Sequence, residues 1–495
     1  MCQDYIRVDT AKLRYESGGK SRTMELLWGD QVEVLQNDGA TATIRARSRT
    51  GTVAASALGG EPLLEVYIID VGQGDGVLIV TPDRRHVLVD GGYIRERQPT
   101  GKNAADFVDW KFARDYRQST IKLDAMIASH CDADHYGGLW DLLSFEGKAR
   151  EELDARNIEV DVLYHAGVSW WENPNGPRWL GPMEEIDGED YLTQLLGDED
   201  HVRQCLNGGA GPQLQGEWAR FMQTALDRGC DIRRLSHEDG WVPGFEPDEA
   251  GENATLRIIA PVVWDDGTGR PMVRAYTRSK SQNTNGHSLL LSLGYGRTRI
   301  LLTGDLNKRS MQAIMQDAEA ADLACDVAKG CHHGSDDIAY SFLQAMGPSA
   351  TVISSGDNEG HAHPRPTVVA ASAQTGHVEI HNDEMRTPLI YSTEISRSID
   401  IGKLLRIDCA DYPVNGDSVD VALDPKSKAN LNYEVVKAGD LRPKKIRRRY
   451  HKNTRVVDAV TYGLVNVRTD GRKILCATLN EKQDKWEVET FQSRF

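Results

Sequence analysis

Hydrophobic positions in the first 60 residues fall in short β-type runs, at 5–8, 24–28, 31–35, 41–46 and 52–54, separated by polar turns. From about residue 61 to 400 strand-like and helix-like segments alternate, as a layered α+β domain requires. Within that region the apolar run 123–128 predicts a buried strand, and 139–145 predicts a helix that starts just after Gly137-Gly138. A stretch from 170 to 256, rich in Gly, Trp and acidic residues, breaks the alternation and reads as an insertion or lid at the mouth of a site. Its Trp170, Trp171 and Trp179 either stack on a substrate or pack on the body of the domain. From 401 to 495 the pattern returns to strands, clearest at 456–467 and 473–477.

Composition sets the class. A chain of 495 residues with 40% hydrophobic content can bury the cores of two or three domains. No run approaches the ~20 apolar residues of a membrane helix, and the N-terminus lacks the basic-then-apolar pattern of a secretion signal. The eight cysteines form no CxxC pair, which fits reduced thiols in a cytoplasmic protein without membrane partners. The net charge of −16 disfavours polyanion binding except where positive charge is concentrated. One such place is 442–455, with Lys444, Lys445, Arg447, Arg448 and Arg449 as candidate nucleic-acid contacts; a solvated linker, or a face paired with the acidic insertion, explains the same run.

The densest chemistry follows the strand at 123–128. Ser129-His130-Cys131-Asp132-Ala133-Asp134-His135-Tyr136-Gly137-Gly138 places two imidazoles and two carboxylates within six positions on a strand-to-helix turn. Such a turn lets neighbouring side chains converge where regular structure would splay them, and a two-metal hydrolytic site needs that layout.

This His-x-Asp-x-Asp-His-x-Gly-Gly pattern resembles the metal loop of the metallo-β-lactamase superfamily, with Asp132 where His is usual. The nearest resemblance is to the hydrolase domain of ComEC-type DNA-uptake proteins and their soluble relatives. Four further stretches match in order: 70–76 (DVGQGDG), 87–92 (VLVDGG), 301–305 (LLTGD), and 329–335 (KGCHHGS) followed by 361–366 (HAHPRP). The resemblance covers about residues 64–395. It implies an α+β chain whose residues 61–400 form an αββα sandwich. Residues 1–60, with LLWGDQVEVL closed by RTGTV, resemble a bacterial SH3-like β-barrel, and 401–495 would be a β-rich extension.

By that resemblance two divalent ions, Zn²⁺ or Mn²⁺, are expected. His130, Asp132 and His287 would hold the first, Asp134, His135 and His363 the second, and Asp305 would bridge them. Asp90 and Asp70 would support the ligands from behind. A metal-bridging hydroxide oriented by Asp134 would be the nucleophile, and His332, His333, Ser335 and Lys329 would donate to phosphate oxygens. Cys131 and Cys331 sit between ligands as bystanders.

The implied activity is phosphodiester hydrolysis with DNA as first candidate, in DNA processing or defence against phage. Two alternatives stand beside it. One is hydrolysis of a small diester such as a cyclic nucleotide or lipid head group, which an acidic protein suits. The other is a binding or regulatory subunit that recruits a protein partner through the SH3-like and C-terminal modules.

Overall fold

The computed structural model describes residues 2–394 except 99, 145–152, 174–175, 177, 210, 266, 318–319 and 357–362, together with 463–480 and 485–495. It also gives the backbone of strands Arg406–Asp408, Asp420–Ala422, Asn430–Val436 and Arg448–Arg455. The chain forms two compact units, Met1–Arg397 with Tyr462–Phe495, and Ser398–Thr461.

The larger unit is mixed α and β, and strand-rich. Its central element is a nine-stranded sheet in the order Asp231–Arg234, Val162–His165, Ala125–Ala128, His86–Val89, Val77–Val80, Leu64–Ile68, Val465–Thr469, Lys473–Asn480 and Lys485–Gln492. The first four strands run parallel, and the remaining neighbours are antiparallel. A six-stranded sheet runs Thr255–Ala260, Leu290–Tyr295, Thr298–Leu302, Val327–Lys329, Ala350–Ile353 and Leu389–Ser392.

These two sheets face each other across one apolar core, in which Val66, Ile79, Val87 and Ile127 meet Leu256, Leu291, Ile300 and Val352. Helices Ala104–Trp110, Ala133–Leu143 and Gly216–Asp227 cover the outer face of the first sheet. Helices Lys308–Asp317 and Tyr340–Met346 cover that of the second. Being covered on both sides, the central strands read as continuous apolar runs. Met126 and Ala128 turn to the helices while Ala125 and Ile127 turn to the second sheet.

Residues 2–54 form a separate antiparallel sheet of six strands around Ile6, Leu13, Leu26, Val32, Ile44 and Val53. Strand Thr10–Ser17 escapes the hydrophobic pattern because only Ala11 and Leu13 of its side chains are buried. The sheet docks on its own chain: Leu27, Trp28 and Leu63 pack with Leu475 and Ala477. Beside them Arg468, fully buried, donates to Trp28 O (2.6 Å) and Asp30 Oδ1 (2.7 Å) and lies 3.5 Å from Glu65.

Two expected boundaries move. The stretch 170–256 is largely part of the domain, because its apolar residues complete an outer layer. Trp218, Phe221 and Met222 pack with Tyr136 and Leu139, and Asp231–Arg234 adds an edge strand to the nine-stranded sheet. Trp171 is buried and bridges Trp179 and Leu214. The expected C-terminal region 401–495 divides, since Val465, Val467, Ile474 and Cys476 belong to the inter-sheet core.

In the smaller unit Arg406–Asp408 pairs with Asp420–Ala422, and Asn430–Val436 pairs with Arg448–Arg455. Lys444, Lys445 and Arg447 lie outside the described residues, as do the side chains of Arg448 and Arg449 at the start of that last strand. Among the described residues no helix is long and apolar enough to cross a membrane.

Candidate metal centre and its cleft

The candidate residues gather where strands of both sheets end. Asp90 follows His86–Val89, Ser129 to Asp132 follow Ala125–Ala128, Asp305 follows Thr298–Leu302, and His332 and His333 follow Val327–Lys329. Helix Ala133–Leu143 begins earlier than its pattern predicts, inside the motif, with Asp132 at its N-cap. That cap makes no side-chain bond to the helix; the Asp132 carboxylate accepts from Thr284 Oγ1 (3.3 Å) instead. Gly137 and Gly138 lie within the helix, where a Cβ on either would collide with the backbone of residues 91–94.

Four sets of potential ligand atoms converge, each containing His135 or His333: His130, His135 and Asp305; Asp134, His135 and His333; Asp75, Asp305 and His333; and Asp75, Asp90 and His135. Asp305 Oδ2 lies 3.3 Å from His135 Nε2 and 3.1 Å from His333 Nε2. Asp90, at a positive φ of 57°, accepts from Ser129 N (2.8 Å) and Ser129 Oγ (2.6 Å), and its Oδ2 is 2.8 Å from His135 Nδ1. That contact places the His135 proton on Nδ1 and leaves Nε2 directed at Asp305. Ser129 Oγ and Ser288 Oγ hold His130 Nδ1 at 3.1 and 3.2 Å.

The Nε2 atoms of His130, His135 and His333 are buried and make no hydrogen bond. Orphaned imidazole nitrogens facing buried carboxylates are what a divalent cation requires, so the donor set fits a metal. The electrostatics agree. Burial works against a charged His333 ring, yet Asp305 and Asp75 push its pKa up to about 10. His135 is raised well above its usual value against the same burial by Asp305 and Asp90. Burial, with Asp134 beside it, lifts Asp132 to about 7. Excess negative charge in a dry pocket is thus balanced by protons that cations would displace.

The structure does not bring every expected residue to this point. His287 is turned away: fully buried, it donates from Nε2 to Arg274 O (2.8 Å) and stacks on Tyr276 at 4.7 Å between ring centroids. It caps the short helix Lys280–Gly286, so Asn285, two positions earlier, lines the cleft in its stead. With its amide oriented to satisfy both neighbours, Asn285 donates to Asp132 Oδ2 (3.1 Å) and accepts from His332 Nε2 (3.2 Å).

Asp70 is exposed and accepts from Gly72 N; the carboxylate behind the cluster is Asp75, from the same turn. Lys329, expected to donate to substrate, is buried, ion-paired with Asp75, and donates to Gly304 O (2.9 Å). His333, expected beside it in that role, stands within the ligand cluster. His363 is buried, with its ring 5.9 Å from that of His332 and 6.4 Å from that of His333.

Above the cluster opens a cleft of about 1050 Å³, lined by Asp132, Asp134, Asp305, His332, His333, Ser335 and His363. Its walls carry Tyr93, Arg97, Trp170, Arg178, Trp218 and Arg365. Gln73 donates to Asp134 Oδ2 (3.1 Å), a contact the sequence reading missed although Gln73 lies within a quoted motif. Trp170 is fixed by its Nε1–H to Cys131 O (3.0 Å).

No protein-family model matches the chain. Over 317 residues it is 23% identical to ComE operon protein 3 of Bacillus subtilis (strain 168). The alignment takes in 62% of this chain but only 30% of that protein. This distant and partial likeness supports a relation to the ComEC-type proteins that the motif order resembles.

Proposed function

We propose that this protein is a metal-dependent phosphodiester hydrolase of the metallo-β-lactamase type, with DNA as its substrate. The observation that carries the reading is the convergence of His130, His135, Asp305, Asp134 and His333, of which Asp134, Asp305 and His333 line an open polar cleft. Those residues would hold two divalent ions, with His363 beside them. Ions held there would lower the pKa of a water and neutralise charge on the diester.

The rest of the chemistry belongs to the chain. Asp90 fixes the His135 tautomer, and Ser129 and Ser288 orient His130. Lys329 holds Asp75 in place and so braces the cluster from below. Ser335 would donate to a phosphate oxygen, His332 lines the same wall with its Nε2–H given to Asn285, and Arg178 and Arg365 would supply positive charge. The N-terminal sheet, the candidate SH3-like module, serves in this reading as a docked brace.

Hydrolysis of a small diester is the second reading. It draws support from the net charge of −16, because a small substrate needs no extended basic surface. Metal-stripped protein, with Mn²⁺ or Zn²⁺ restored, would be assayed on labelled single- and double-stranded DNA and on bis(p-nitrophenyl) phosphate. Metal-dependent DNA cutting that Asp305→Ala abolishes is the expected result. Turnover of the small diester alone would replace DNA by the second substrate class, and cutting retained by Asp305→Ala at unchanged metal content would remove the assignment.

A further inference from the structure

A second crevice, of about 700 Å³, lies between the N-terminal sheet, helix Ala104–Trp110 and the C-terminal strands, and it shares no lining residue with the metal cleft. Its size is that of a small-ligand pocket. Aromatic rings line it in series: Tyr67 and Phe107 have centroids 5.2 Å apart, and Phe107 and Trp110 6.0 Å. Trp110 is 40% exposed, unusual for so large an apolar ring. Another part of the wall is Trp486, with the Arg47 guanidinium 5.9 Å from its ring centroid.

At the floor stands Asn466. Its strand neighbours Val465 and Val467 enter the inter-sheet core, so Asn466 points to the opposite face, with Arg468. It is fully buried, and neither its amide oxygen nor its amide nitrogen has a hydrogen-bond partner. Buried amides are nearly always satisfied, and one that is not has room for a partner, whether a water or a ligand group. A side-chain amide offers donor and acceptor side by side, the complement of a base edge.

Charge completes the picture. Arg22 and Arg49 line the same crevice; neither is ion-paired with a carboxylate among the described residues, and Arg49 lies over the Tyr15 ring at 5.4 Å. The crevice also carries Glu25, Asp70, Asp106 and Asp115, but Lys102 and Lys111 pair with Asp106 and Asp115, so Arg22 and Arg49 are the guanidinium groups left to meet an anion beside the stacking rings.

We propose that this crevice binds a nucleotide unit, its base against Trp110 and Asn466 and its phosphate at Arg22 and Arg49. The unit comes either from a free nucleotide or from a single strand, and the site is independent of whether the metal cleft hydrolyses diesters. The full-length protein would be titrated with the four deoxynucleoside monophosphates, a phosphorothioate oligothymidylate of about ten residues and inorganic phosphate, followed by calorimetry and tryptophan fluorescence.

Saturable binding of a monophosphate assigns a free nucleotide, and binding of the oligomer alone assigns a strand. Trp110→Ala and Arg49→Gln should each weaken binding about tenfold or more. Asn466→Leu removes two unsatisfied atoms, should leave thermal stability intact, and should erase preference among bases. The proposal fails if no probe binds, if inorganic phosphate binds as well as any nucleotide, or if the folded variants bind like the parent.

Discussion

Each imidazole at the metal centre is defined by what holds its other nitrogen. Asp90 accepts from Nδ1–H of His135, and Ser129 and Ser288 occupy Nδ1 of His130, so both Nε2 atoms face the buried carboxylate of Asp305. His287 fails that test, because its Nε2 is spent on the Arg274 carbonyl. His287→Ala should therefore lower thermal stability while leaving metal content unchanged, whereas Asp90→Asn should cost about 10- to 100-fold in metal affinity; metal analysis of purified variants by mass spectrometry checks both. A His287 variant that binds one ion fewer would restore it as a ligand. The sequence exposes His130, Asp134, His135 and Asp305 because their spacing is chemical. It misplaces His287 and Asp70 because spacing alone does not say which way a helix cap or a turn points its side chain. Asp75, Gln73 and Asn285 were within or beside quoted motifs, and only their burial and partners distinguish them from their neighbours.

At the scale of elements, the site depends on how closely helix Ala133–Leu143 approaches the turn at residues 90–94. Backbone bonds join them, Gly91 N to His135 O (2.7 Å) and Gly138 N to Gly92 O (2.9 Å). A Cβ at Gly138 would strike Gly91. Gly138→Ala should thus destabilise by about 1–3 kcal/mol, as overpacking does. Because the helix carries Asp134 and His135, it should also weaken metal binding. Denaturant melts with and without Mn²⁺ measure both; an alanine variant as stable as the parent would mean that the helix can move off. Core strands such as Ala125–Ala128 were legible because burial on both faces leaves an unbroken apolar run. Thr10–Ser17 and the helix Gly216–Asp227 were not, the first because most of its side chains are solvated and the second because its apolar stripe lies within a stretch of lid-like composition.

At the scale of the molecule, the larger unit is joined through a buried charge cluster that no local pattern reveals, since Arg468 lies about 400 residues from Asp30 and Glu65. Arg468 meets Asp30 of the N-terminal sheet and Glu65 of the nine-stranded sheet. Burial opposes ionisation of both carboxyls, but Arg468, helped by Arg47 at Asp30 and by Lys111 at both, overcomes it and holds their pKa values below the ordinary range. Depressed folded values mean that this stability is present above the unfolded carboxylate pKa of ~4 and is lost as pH falls through the folded values. Arg468→Met removes the cation shared by two buried carboxylates, leaving Arg47 to Asp30 and Lys111 to Glu65, and should cost up to about 3–5 kcal/mol at neutral pH. Urea midpoints for parent and variant should draw together as pH is lowered; a gap independent of pH would locate the effect in packing. The most direct measurement of the account is a titration of metal-stripped protein with Mn²⁺ or Zn²⁺, following bound ion and bis(p-nitrophenyl) phosphate cleavage together. Binding and activity should rise in step and level off at about two ions per chain. Full cleavage without added ion, or saturable metal binding that brings no cleavage of this diester or of DNA, would contradict it.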